Sequence, residues 1–168
     1  SRSVFDVVES MHVTCAEAEK RGFKKLSMFM VENGAVDAAT GGDALKAAVE
    51  AGDVDVVKHL VEIIGVPASL DAIQIAEAKK HRDIILYLAQ HGAVDAINGV
   101  PSLHKAIEGN DSDLVKHLVE IIGVSIKAKH PESGFSAVDT AISAKNATMI
   151  AYLQNIALNP PVIARPTR

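Results

Sequence analysis

Eleven residues occur twice in this chain. VVKHLVEIIGV ends at Val66 and LVKHLVEIIGV ends at Val124; ten of the eleven positions agree, and the copies lie 58 residues apart. The same shift maps GAVDA at Gly34–Ala38 onto GAVDA at Gly92–Ala96. A block copied at a fixed interval restricts the fold severely. Each copy must bury its apolar side against a neighbour built like itself.

The block divides again. A small Ala is followed eight residues later by an aliphatic side chain at Ala18 with Leu26, Ala48 with Val56, Ala76 with Ile84, Ala106 with Leu114 and Ala141 with Met149. Five units result, with steps of 30, 28, 30 and 35 residues. Each reads as two short helices. In DALKAAVEAG, Leu45, Ala48 and Val49 share one side, Asp43 is an expected N-cap and Gly52 an expected stop. In DVDVVKHLVEII, Val56, Val57, Leu60, Val61 and Ile64 form one apolar stripe, with Lys58, His59 and Glu62 on its polar margin. The connections ENGAVDAATGGD, GVPASLD, HGAVDAINGVPS and IKAKHPESGFS carry turn chemistry, and Pro67, Pro101 and Pro131 fall within them. The expected organisation is an N-terminal extension or cap over 1–12 and a repeat domain over 13–158. Its units run about 13–40, 41–68, 69–98, 99–132 and 134–158, and a Pro-rich flexible tail follows over 159–168.

Composition supports an aliphatic helical core. Of 168 residues 48% are hydrophobic and 23% charged, while aromatics are only 4% and Trp is absent. A net charge of −4 gives no electrostatic case for nucleic acid. Cys15 is the only cysteine, so no internal disulfide forms, and an intracellular, cytoplasmic setting is the natural reading. No apolar run reaches a membrane span, and SRSVFDVVES lacks a signal-peptide core. The chain starts without Met, as a piece of a longer protein would.

The pattern resembles the ankyrin repeat, whose first helix carries a Thr-Pro-Leu-His motif with a following Ala. GVPSLHKAIEGND puts Gly99, Leu103, His104 and Ala106 in register. GFSAVDTA does so with Gly134, Ser136, Val138 and Ala141, and GGDALKAAVEAGD with Gly41, Leu45, Ala48 and Gly52. VENGAVDA and AQHGAVDA look like the family's loop after its second helix. The likeness runs from about Val13 to Leu158. The Thr-Pro pair is nowhere intact, and steps of 28 to 30 fall below the family's usual ~33. The resemblance implies an all-α, ankyrin-like solenoid of about five stacked helix pairs with short loops. It also implies that His104 braces a loop through backbone hydrogen bonds. Lys46, Gln74 and Asp139 stand in its place elsewhere, so those loops need other braces.

Several groupings invite chemistry. His59 with Glu62, and His117 with Glu120, share a helix face at metal-ligand spacing. Duplication alone explains their recurrence, and the two pairs belong to units too far apart to share an ion. No phosphate loop occurs, since GAVDAATGGD lacks the Gly-Lys-Ser/Thr ending. Cys15 lies three units from His104, which leaves no Cys–His pair. The reading is therefore a non-catalytic module with no catalytic residue, metal or cofactor.

In the architecture that the resemblance implies, loop tips and the open side of the first helices line a concave groove. The expected partner-binding residues are Glu50, Lys79, Glu108 and Lys145 on first helices, Asp37, Thr40, Asp95, Asn98, Lys127 and His130 at tips, and Phe135 beside a tip. The partner is another protein or peptide, with no nucleic acid or membrane; a scaffold and a pathogen's effector would both use such a surface. A structural alternative is self-assembly through TMIAYLQNIAL, which is more apolar than one buried stripe requires. A metal-binding or enzymatic protein is the weaker alternative.

Overall fold

A computed structural model describes residues 14–163. The expected extension over 1–12 and the last five residues lie outside the described residues. Ten helices occur within them, in five pairs. The first helices are α1 (Cys15–Lys20), α3 (Gly42–Ala51), α5 (Leu70–Lys79), α7 (Val100–Glu108) and α9 (Ala137–Ser143). The second helices are α2 (Lys24–Glu32), α4 (Val54–Lys58), α6 (Arg82–Gln90), α8 (Ser112–Lys116) and α10 (Ala147–Leu158). Two of them, α4 and α8, continue without a break into π-helical turns, His59–Ile64 and His117–Ile122. No strand occurs among the described residues.

One hydrogen bond recurs in all five pairs. The Ala carbonyls that mark the sequence repeat each accept an N–H from five residues on. Phe23 donates to Ala18 (2.8 Å), Asp53 to Ala48 (2.9 Å), His81 to Ala76 (3.0 Å), Asp111 to Ala106 (2.8 Å) and Asn146 to Ala141 (3.1 Å). The residue before each donor is left-handed: Gly22, Gly52, Lys80, Asn110 and Lys145, with φ from 54 to 74°. This closes the first helix and turns the chain into the second. Asp53, Asp111 and Asn146 then cap the second helix with their side chains. Asp43, expected as a cap, lies instead in the first turn of α3; the N-cap position belongs to Gly41.

The chain forms two compact units, one ending at Ala93 and the other beginning at Val94. In the first, α3 packs against both α1 and α5, and α4 against both α2 and α6, so like helices form layers. Ala18, Ala48 and Ala76 are fully buried, as are Leu60, Ile73 and Leu88. Small side chains let the first helices approach, and each buried Leu or Ile contributes about 2 kcal/mol. In the second unit α7 packs on α8 and α9, and α9 on α10, around Leu103, Ile107, Leu118, Ala141 and Leu153.

The π-helical turns have a cause in the sequence. After α2 and α6, a left-handed glycine (Gly34, Gly92) is followed by an Ala whose N–H returns five residues, Ala35 to Met30 (2.9 Å) and Ala93 to Leu88 (3.0 Å). After α4 and α8 the same closure spans six residues, Val66 to Leu60 and Val124 to Leu118, both 2.8 Å. LVEIIGV has one residue more than LAQHGA, and the wider helix absorbs it. Ala93 and Val66 are both buried behind their glycines.

Candidate partner-binding surface

Two loop tips are braced by their own aspartates. Asp37 Oδ1 accepts from Ala39 N (2.9 Å), Thr40 N (2.8 Å) and Thr40 Oγ1 (2.9 Å). These bonds hold its carboxyl below its ordinary range. Asp95 Oδ1 accepts from Ile97 N and Asn98 N, both 2.8 Å, while Asn98 Nδ2 donates to Asp95 Oδ2 (3.1 Å). Below each tip a glycine meets the valine plug. A Cβ on Gly41 would stand 2.4 Å from Val66 Cγ2, and one on Gly99 2.8 Å from Val124 Cγ2. The tips are thus fixed from beneath, in place of the histidine brace that most units lack.

Four expected binding residues, Asp37, Thr40, Asp95 and Asn98, therefore use polar groups on each other. Between the last pair projects Ile97, 87% exposed, which the sequence expectations omitted. The 58-residue shift sets Ile97 against Ala39, so the duplication does mark the tip where a large apolar residue replaces a small one.

The longest connection, 125–136, is held by His104. Its Nδ1 lies 2.6 Å from Thr140 Oγ1 on α9, and its ring meets His130 edge-on at 5.1 Å. The hydrogen bond thus reaches a neighbouring first helix, and the Ala128 backbone in the loop also bonds the ring, as the resemblance implied. Burial first, then His130, hold the His104 imidazole below its usual pKa. The loop closes with His130 N donating to the Phe135 carbonyl (2.9 Å), and a capping box joins Ser136 and Asp139 at the start of α9. Lys127 and Phe135 stay exposed and His130 is half-buried. Asn146 Nδ2 donates to Asn110 Oδ1 (2.7 Å) past the far ends of α9 and α7. With the His104–Thr140 bond, this makes α7 and α9 parallel, so the tips bearing Ile97 and Phe135 emerge at the same end.

On the first helices of the first unit, Glu50 and Lys79 pair at 3.2 Å and Lys46 reaches Asp71 at 3.2 Å. These are exposed pairs worth about 0–1 kcal/mol. In the second unit Glu108 is exposed at the end of α7. Lys145 does not lie on a first helix, as expected, because α9 ends at Ser143; it occupies the left-handed turn at φ 54°.

The repeated His-Glu pairs have a different use. Tyr87 donates to Glu62 (3.0 Å) and Tyr152 to Glu120 (2.6 Å). The duplicated glutamates are more than a solvated margin: they tie one second helix to the next. Burial, then the carboxylate's hydrogen bond and charge, push both phenols well above their ordinary pKa. Among the described residues no group of three or more His, Cys, Asp or Glu is arranged to hold a metal. Cys15 is buried, its thiol pushed up to about 11 by burial and by Glu19.

The family model for ankyrin repeats (three copies) matches residues 45–130. The chain belongs to the ankyrin-repeat family. Its all-α fold of paired helices is the ankyrin type with shortened connections. No curated protein matches the chain. Ankyrin repeats are generally protein–protein interaction modules, and proteins built of them are typically non-catalytic. No helix among the described residues is long and apolar enough to cross a membrane.

Proposed function

We propose that this ankyrin-repeat chain is a non-catalytic binding module. It takes a protein segment along the concave side that first helices and loop tips form. The observation that supports this most is Ile97, held 87% exposed on a tip whose backbone is already fixed. A rigid apolar group in water loses little freedom on binding and gains its whole burial. Phe135 at the same end adds an aromatic anchor, with Lys127 and Glu108 supplying polar contacts. In the second unit the turn-bound Asp95 and Asn98 shape this surface and His130 and Lys145 border it; in the first unit the turn-bound Asp37 and Thr40 and the paired Glu50 and Lys79 are the expected binding residues. The test is affinity capture from native cells with Ile97→Asp/Phe135→Ala beside the wild type. Partners retained by the wild type and lost by the double variant support the reading; identical captures overturn it.

A second reading is self-assembly through the last helix pair. Ile142 is 55% exposed and Val138 and Ile150 half-buried, while their counterparts Leu45, Val49 and Val57 in the second pair are fully buried. The last pair thus keeps an apolar face where end repeats are normally polar. Light scattering across concentration decides it, since a chain that stays monomeric has no such assembly.

A further inference from the structure

Glycine follows asparagine at two places, Asn33–Gly34 and Asn98–Gly99. Such a bond has a chemistry of its own. The main-chain nitrogen of the second residue can attack the side-chain carbonyl carbon of the first, and a glycine there has no Cβ to obstruct it. In a folded chain the reaction waits on a local opening that lets the two atoms meet.

Asn98–Gly99 is held on every side. Asn98 Oδ1 accepts from Asp95 N (2.7 Å), and its Nδ2 donates to Asp95 Oδ2 (3.1 Å). The attacking nitrogen, Gly99 N, itself donates to the Asp95 carbonyl (2.9 Å). Gly99 is buried, and a Cβ there would stand 2.7 Å from that carbonyl oxygen and 2.8 Å from Val124 Cγ2. Turning the Asn98 side chain toward Gly99 N would dismantle the whole tip.

Asn33–Gly34 is loosely held. Both residues are exposed, and Asn33 is the C-cap of α2, where helices fray. Among the described residues its side chain makes one hydrogen bond, from Nδ2 to the Phe29 carbonyl (2.7 Å). Gly34 N reaches the Val31 carbonyl at 3.3 Å, long for such a bond. No described atom lies within 4 Å of where a Gly34 Cβ would be.

We propose that Asn33 is a site of spontaneous deamidation, and that the Asp95 brace protects Asn98 from the same reaction. Gly34 N loses its proton to solvent base and bonds to Asn33 Cγ. The Cγ–Nδ2 bond breaks, the nitrogen leaves as ammonia, and a cyclic imide closes. Water adds to either imide carbonyl, and the ring opens to aspartate or isoaspartate. One water is consumed and one ammonia released; nothing is oxidised or reduced. The new carboxylate stands at the negative end of α2. In isoaspartate the main chain also gains a methylene just before left-handed Gly34, where Ala35 closes back on Met30. The site uses none of Ile97, Phe135 or Lys127, so it stands independently of the loop-tip surface.

The test keeps the folded full chain in warm, mildly alkaline buffer, samples it over weeks and digests it with trypsin. Asn33 and Asn98 then fall in separate peptides, 26–46 and 83–105. Mass and chromatographic retention distinguish amide, aspartate and isoaspartate in each. Peptide 26–46 should convert at least about tenfold faster, because opening at Asn98 breaks an extra hydrogen bond and uncovers a buried glycine. In urea the two rates should converge. Asp95→Ala should raise the Asn98 rate and leave the Asn33 rate unchanged. Asn33→His, which installs the residue that the 58-residue shift places there as His91, should abolish conversion in 26–46. Equal rates in the folded chain, faster conversion at Asn98, or no conversion at Asn33 would each overturn the proposal. So would an Asn98 rate indifferent to Asp95→Ala, or conversion in 26–46 that persists in Asn33→His.

Discussion

Glu19 carries its carboxyl into the core with 1% of its surface exposed, beside the Ser27 hydroxyl. Burial raises its pKa above 4.5. The nearby Ser27 hydroxyl, itself bonded to the Phe23 carbonyl, relieves this only in part; Asp53 adds to it and Lys24 opposes it. The folded state thus holds this proton more tightly than the unfolded state does. Its stability is full below about pH 4.5 and drains as pH rises through the raised value. Glu19→Gln should therefore raise the urea midpoint at pH 7 by an amount equal to roughly 1–3 kcal/mol, with the gain shrinking toward pH 4.5. His104 has the opposite sign. Its pKa lies below 6.5 in the fold, so its contribution is full above about pH 6.5 and is lost as pH falls through the lowered value. Urea titrations at pH 7.5 and 5.5 should show a loss in the wild type that is smaller in His104→Leu.

The extra residue in LVEIIGV separates what the second helices need from what they tolerate. Four of the five share a left-handed glycine and a residue bonded back behind it; the helix between can be α or π. Deleting Ile63, which is largely exposed, should leave an ordinary α-helical end, with the melting temperature lowered by no more than about 3 °C. Gly41→Ala should behave otherwise. Its Cβ would fall 2.4 Å from Val66 Cγ2 and 2.8 Å from the Asp37 carbonyl. A loss of about 1–3 kcal/mol is expected. Val66→Ala in the same chain should recover part of it, because it removes the first clash and leaves the second. A denaturation double-mutant cycle measures the coupling.

Two compact units and two tyrosines give the whole molecule a built-in readout. Tyr87 lies in the first unit and Tyr152 in the second, and there is no Trp to obscure them. Repeat proteins are held by nearest-neighbour contacts and can lose one end before the other. In Tyr152→Phe, fluorescence reports the first unit; in Tyr87→Phe, the second. Gly41→Ala should lower the urea midpoint more in the Tyr152→Phe background than in the Tyr87→Phe background. Equal shifts would mean that the chain unfolds as one cooperative body.

The periodic part is legible in the order of residues alone. Five Ala carbonyls, the apolar stripes and the 58-residue copy are local patterns, and local patterns suffice to place paired helices and the ankyrin family. The tertiary structure decided what the side chains do across units. That Glu62 would meet Tyr87 and His104 would meet Thr140 depends on partners 25 and 36 residues away, and no spacing rule reports them. The same holds for the surface. Their place at the expected loop tips made Asp37 and Asp95 look like binding groups, but the loop's N–H donors claim them first. Ile97 became a candidate only when its exposure was known, because an apolar residue in a sequence is read as core until packing fails to cover it.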